Sequence, residues 1–432
     1  VGIILLLNIA ALFYYIYYLM ENGYLPSPFI YDKSDTFMDL FNVLYWAYDD
    51  GRYTDWGSVY PPLNFFVLRL LNFVFAGGGY GDPALMRDNS QFVIVGVCLA
   101  YLAIPAILLK TRYWRDFPRI EKVLVYFAIV LSAPLLFTLE RGNLIVLAPI
   151  LLALALSKIG MARGVCIALL INIKPYFALL MIYYIARQNW KGFAACAALS
   201  GLIFAISGLA LDNHFLVFFE NIFDFSQEEG LFSLREVMAF PSSISAFSYV
   251  LKNPDGAMFA SDLLSSESIA TIVYIIEATK WSVLAISLAI LFVRSRLMRD
   301  AEIFSLLVVA ISNLGIWVGG YTFVLYIALI PAFIKMRAAR LYIGLLSLLA
   351  IPLDIVPLSE GSIGEQYSYL ADAYVNIEWT LGLGSAVRPV ANFMLLMLMS
   401  YEFFSRKSES ASKNIEYRAG LVAGKRVLVG KR

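Results

Sequence analysis

The chain has 432 residues, of which 60% are hydrophobic and 15% charged, with a mean hydropathy of +0.74 and a net charge of +1. Soluble globular chains are nearer about half apolar and a quarter charged, so the composition excludes an ordinary soluble domain, and the near-zero net charge gives no argument for nucleic acid or an acidic partner. Cys98, Cys166 and Cys196 lie in apolar runs without CxxC or metal-ligand spacing, which points to packing.

Taken in chain order, apolar runs at 1–20, 91–109, 123–139, 143–156, 190–211, 271–293, 303–318, 321–334, 341–358 and 386–404 read as about ten membrane crossings. The first has no small-residue cleavage site and runs into an aromatic-rich loop, so it reads as a span and not as a signal peptide. Lys and Arg collect at 110–122, 158–163, 187–191, 294–299, 335–340 and 406–432, and the positive-inside rule puts these segments and both termini in the cytoplasm. Two apolar stretches do not fit as crossings. The run 60–76 would reverse the basic 110–122 loop, so it is expected to lie in the outer interface as a helix. The run 164–186 has basic loops at both ends and is too short for two spans; a re-entrant hairpin broken at Ile173-Lys174-Pro175 satisfies both constraints.

The expected organisation is one transmembrane domain, 1–404, with outward loops at 21–90, 212–270 and 359–385 built from short packed helices, and a cytoplasmic basic tail at 405–432. In the first outward loop Asp35 and Asp39 are four residues apart, so a helix sets both carboxylates on one face. Tyr60-Pro61-Pro62-Leu63 cannot be helix interior, because the prolines donate no backbone hydrogen bond and disfavour the helical region in the residue before each. Lys174 sits at membrane depth, where an ionisable side chain is by default functional; a structural ion pair or a snorkelling side chain is the alternative.

The order of Asp39 through Tyr60-Pro61-Pro62-Leu63, then Arg141-Gly142-Asn143-Leu144, then Asn172-Ile173-Lys174-Pro175-Tyr176 resembles the family 87 glycosyltransferases, bacterial members of the GT-C superfamily. The likeness covers the first half of the chain; beyond Asp212 only the hydropathy outline agrees. It implies an all-α, polytopic GT-C-like bundle in the bacterial inner membrane. It also implies an active site on the periplasmic side that moves a sugar, mannose or another monosaccharide, from a polyprenyl-phosphate donor to a glycan, lipid or protein acceptor.

Such a transfer needs a base for the acceptor hydroxyl and fixed positive charge for the leaving phosphate, and attack opposite the phosphate inverts the anomeric centre. Asp39 is the first candidate base and Asp35 the second, with a first-turn acid favoured by the helix dipole as the alternative for Asp35. Lys174, Arg141, Arg388 and His214 are candidate phosphate contacts; Glu140 with Arg141 also reads as an interfacial charge pair, and a lone interfacial histidine such as His214 is more often incidental. Tyr60, Trp46, Trp56, Glu140 and Asn143 are candidates for the sugar or acceptor, although interfaces gather Tyr and Trp in any case. No cofactor is required: Asp32, Asp35 and Asp39 suit a divalent ion with donor phosphate, but nothing demands one, and His214 has no partners for zinc. Glu277 and Lys280, at i and i+3, suit a self-neutralising pair, and Asp354 a structural role. A transporter or flippase for lipid-linked sugars would also use midspan charges and broken helices, and a glycan polymerase or ligase would lean on outward arginines. The acids concentrated in the first outward loop and the absence of an evident repeat favour the transferase.

Overall fold

The computed structural model describes residues 1–29, 35–70, 81–111, 114–115, 117–157, 160–211, 214–227, 233–253, 265–358 and 362–406. Asp32, the second half of the 60–76 run and the basic tail from 407 lie outside the described residues.

The apolar helix α1 (Gly2–Asn22) ends at Gly23 in a left-handed turn. Two short helices follow, α2 (Met38–Trp46) and α3 (Pro62–Leu70), the second starting where Pro61-Pro62 permits a helix to begin but not to continue from before. After the long α4 (Gln91–Lys110), α5 (Arg119–Val130) and α6 (Ala133–Arg141) form one run bent by 49° just ahead of Pro134. The short apolar helices α7 (Ala148–Ser157) and α8 (Met161–Ile173) precede the long α9 (Trp190–Leu209) and α10 (Ser266–Arg294). Next come α11 (Asp300–Ser312), a 3-10 segment (Gly320–Leu329), α12 (Ala339–Ala350) and the long α13 (Leu383–Ser405).

The protein is an all-α polytopic membrane protein. Five described helices are long and apolar enough to cross a membrane, six with the bent α5–α6 pair taken as one. The other four of the ten expected crossings are shorter apolar helices. Hydropathy could not separate them, because apolar runs read alike whether they face lipid or protein. Burial sets two of them apart: every residue of α11 from Glu302 to Ser312 is buried, as is most of the 3-10 segment, whereas only Tyr342 and Leu349 of α12 are. Irregular backbone at membrane depth is tolerated where protein, not lipid, surrounds it.

The 212–270 stretch contains the expected short helices, Phe218–Gln227, Leu234–Ala239 and Ser245–Lys252. The 359–385 stretch differs. It holds an antiparallel hairpin, β1 (Ser362–Ser368) and β2 (Ala373–Trp379), paired from Ser362↔Trp379 to Ser368↔Ala373. Its cause is a period-two pattern, Val375, Ile377 and Trp379, that packs one face on Tyr18 and Tyr24. Ser368 donates to the Gly23 carbonyl (2.6 Å) and the Glu378 amide to the Tyr24 hydroxyl (2.9 Å), which seats the hairpin on the end of α1.

Candidate active site

The acids of the first loop are placed by two interlocked helix ends. Phe37, the N-cap of α2, is left-handed (φ 60°), and its amide donates to the Glu140 carbonyl at 2.7 Å. Helix α6 ends at Gly142 (φ 67°), where an added Cβ would stand 3.1 Å from Leu40 Cβ and 3.2 Å from the Phe37 carbonyl oxygen. Glycine therefore serves both the backbone turn and the close approach. That approach brings Arg141, the last residue of α6, between the carboxylates: it donates to Asp35 at 2.6 Å and to Asp39 at 3.0 Å. Asn143 donates to the other Asp39 oxygen at 2.7 Å while its own carbonyl accepts from the Ile145 amide at 3.0 Å. The second bond orients the side chain, since only the NH2 end can face a carboxylate. Tyr101 of α4 secures the turn beneath, its hydroxyl 2.7 Å from the Thr138 carbonyl and 2.8 Å from that of Asn143.

The second half of the site is the break after α8. Pro175 has no N–H and pushes the preceding residue out of the helical region, and Lys174 is accordingly extended (φ −144°, ψ 127°). Asn64 of α3 donates to the carbonyls at the end of α8, Asn172 and Ile173, both at 3.2 Å. It thereby satisfies groups that a broken helix leaves open and ties the Tyr60-Pro61-Pro62-Leu63 turn to the hairpin. Lys174 is buried, and its ammonium lies 3.9 Å from the centre of the Tyr60 ring. Among the described residues it has no carboxylate partner and no hydrogen-bond acceptor. Burial first, and then the Asp39 charge, push the Tyr60 phenol well above its ordinary value, so it remains a neutral donor.

These parts face one cavity of 670 Å³. Of the residues singled out from sequence, Asp39, Arg141, Asn143, Lys174, Tyr60, Trp46 and Trp56 line it. Trp46 and Trp56 lie 6.1 Å apart, and the Trp46 indole N–H is buried without an acceptor among the described residues. The remainder stand elsewhere. Asp35 lies behind Arg141, outside the lining. Glu140 is buried and accepts from Thr36 at 3.2 Å, holding the turn that carries Asp35. His214 is exposed at the start of the Phe215–Val217 turn and does not line the cavity. Arg388 is fully buried in an ion pair with Asp354 (2.7 Å) and stacks on Phe240 at 3.9 Å, so its guanidinium is not open to a phosphate. Glu277 and Lys280 pair at 2.7 Å, as their spacing suggested.

Sequence reasoning missed Asn42, Phe240, Trp317 and Tyr321 in the lining and Asn64 beneath it, and it took Tyr176 as part of a motif without assigning it to the site. Of the residues missed, Asn64, four residues past Tyr60 in an apolar run, had a readable signal: a buried amide needs partners. Among the described residues no group of three His, Cys, Asp or Glu is arranged to hold a metal ion.

A family model described as Glycosyltransferase family 87 matches residues 59–315, more than half of the chain. The match reaches well past Asp212 and takes in Arg141, Asn143 and Lys174, while Asp35, Asp39 and Arg388 fall outside it. No curated protein and no solved structure matches.

Proposed function

The chain belongs to glycosyltransferase family 87, of the GT-C type, and from that premise we propose that it moves a sugar from a polyprenyl-phosphate donor to an acceptor hydroxyl, with inversion, in the cavity beside Asp39. The observation that carries this reading is the pairing in one cavity of an oriented carboxylate with a buried cation that, among the described residues, has no carboxylate within ion-pair distance. Each oxygen of Asp39 takes one hydrogen bond, from Arg141 or Asn143, and keeps lone-pair capacity for an acceptor hydroxyl. That hydroxyl oxygen forms the new bond to the anomeric carbon, its proton passes to Asp39, and the bond to the phosphate oxygen breaks with its electron pair left on the phosphate. Lys174, with the Arg141 donors not used by the acids, neutralises the charge that develops there. Trp46, Trp56 and Tyr60 supply flat apolar faces and polar edges for sugar rings. The open side of the cavity faces the exterior in this reading, since Asp39, Trp46, Trp56 and Tyr60 of its lining belong to the 21–90 loop that the positive-inside rule puts outside. The site uses no cofactor in this scheme.

Purified protein in nanodiscs, given a synthetic polyprenyl-phosphate sugar and acceptor, tests the assignment. Asp39→Asn is expected to lower turnover by about a hundredfold or more, the usual scale for a lost general base. Asp35→Asn, whose carboxylate lies behind Arg141, is expected to lose less. Wild-type turnover in Asp39→Asn would sink the base assignment.

A further inference from the structure

Part of the cavity wall is built by an aromatic stack. Phe137, one helical turn before Arg141 on α6, lies face to face with Phe240, ring centres 4.7 Å apart and planes 13° apart. Both line the cavity. The far face of Phe240 is covered by the Arg388 guanidinium at 3.9 Å. Phe240 sits at the C-cap of the short Leu234–Ala239 helix.

Its rigidity comes from one stripe of α13. Ser385, Arg388 and Asn392, at i, i+3 and i+7, are all fully buried on one helix face. Ser385 donates to the Met238 carbonyl, Arg388 stacks on the Phe240 ring, and Asn392 donates to the Ser242 carbonyl at 2.8 Å. Arg388 is itself held by Asp354, and both side chains are fully buried. From the other side the Gly320 amide donates to the Phe240 carbonyl at 2.7 Å, an approach only glycine allows, because an added Cβ would lie 2.3 Å from that oxygen. With Phe137 on one face and Arg388 on the other, the buried ring can border the cavity only along its edge, and so many fixed contacts around it are more than the fold of a turn requires; they fix the depth of the cavity at that point.

We infer that Phe240 is the specificity-determining residue of the cavity, limiting the bulk of the sugar ring admitted beside Asp39, and that Arg388 with Asp354 is the positioning pair that keeps its ring in place. This inference rests on the cavity being the site of sugar transfer. A pocket discriminates by size when its wall cannot yield, and one methylene of mismatch against such a wall is worth about tenfold or more. The last helix, outside the family-model match, thus sets which member of a sugar series is used, while the chemistry stays with α2, α6 and the hairpin.

The test is a panel of pentosyl, hexosyl and N-acetylhexosaminyl polyprenyl phosphates, with binding read from the fluorescence of the cavity tryptophans and transfer read as kcat/KM for each. Phe240→Ala is expected to move the ratio of larger to smaller donors by about tenfold toward the larger, Phe240→Leu by less in the same direction. The charge-balanced Arg388→Met, Asp354→Leu pair is expected to shift it likewise, at a Tm that shows the protein folded. A general structural defect would lower all donors alike. If wild type binds or uses donors and the ratio stays put in both Phe240 variants, the inference is overturned alone. If wild type neither binds nor uses any donor of the panel, the transferase reading falls and takes this inference with it.

Discussion

Lys174 is buried, its ammonium lies against the Tyr60 ring, and no carboxylate among the described residues is within ion-pair distance of it. A cation on an aromatic face recovers about 2 kcal/mol when desolvated, less than the several kcal/mol that an ion loses on leaving water. Lys174 is therefore a cost to the empty protein and a gain once an anion arrives. The expected signature of Lys174→Met is an unchanged or raised Tm together with a donor affinity lowered by about tenfold or more, the scale of one hydrogen bond to a charged group. Thermal unfolding and donor titration on the same preparation check it; a lower Tm with unchanged affinity would make Lys174 structural. At this scale the sequence was most legible where a charge stood in an apolar run, as with Lys174 and Arg141, because few things other than a site or an ion pair explain such a charge. Arg388 looked the same from sequence. Its partner Asp354 lies 34 residues away across a β-hairpin, and only the fold could bring the two together.

Helix ends, more than helix bodies, build the site. Asp39 sits in the first turn of α2, Arg141 in the last turn of α6, and Lys174 directly after α8. Two of these ends have a local cause in sequence: a glycine after Arg141, a proline after Lys174. The Pro-based break at 174–175 was readable for that reason, as was the start of α3. The left-handed Phe37 was not, since bulky residues rarely adopt that region; it is held by the Glu140 carbonyl from another helix. Gly142 is the joint on which these ends meet. Gly142→Ala adds a Cβ to a left-handed residue, costing about 1–2 kcal/mol, and sets that atom 3.2 Å from the Phe37 oxygen. The expected result is a Tm lowered by several degrees, on the order of that free energy, with turnover falling further because Arg141 and Asn143 leave register with Asp39. A variant with native Tm and native turnover would show that the interlock is not needed. Asn143→Ala, which removes the donor to Asp39 together with the cap on the Ile145 amide, is the companion expected to lose turnover with a stability loss of about 1 kcal/mol, the usual scale of one N-cap.

The whole molecule turns on whether the α8 break is re-entrant. Between the loop after α2 and the end of α10 the chain passes through α4, the bent α5–α6 pair, α7, α9 and α10, five crossings if the hairpin from Met161 to Ala186 returns to its own side. Five is odd, so Asp50 and Arg296 then lie on opposite faces; a hairpin that crossed would make the number six and put them on the same face. Basic side chains at the ends of α4 and α10, Lys110 and Arg294, favour the first arrangement with Arg296 inside. The helix carrying the break is also flanked by Arg163 and Arg187, which both donate to Asp300 at 2.7 Å, so the two ends of the hairpin meet at one acidic residue on one side. That contact is the strongest structural argument for re-entry, because a crossing segment would hold its ends a bilayer apart, roughly 30 Å. Asp50 has a side chain 92% exposed and Arg296 is exposed as well, so a cysteine at either place is open to reagent. In a Cys98→Ser background, with Cys166 and Cys196 buried, a membrane-impermeant maleimide added to intact cells is expected to label Asp50→Cys and to label Arg296→Cys only after permeabilisation. Labelling of both in intact cells would make the hairpin a crossing. The reverse pattern would turn the cavity to the cytoplasm and rule out a donor presented at the outer face.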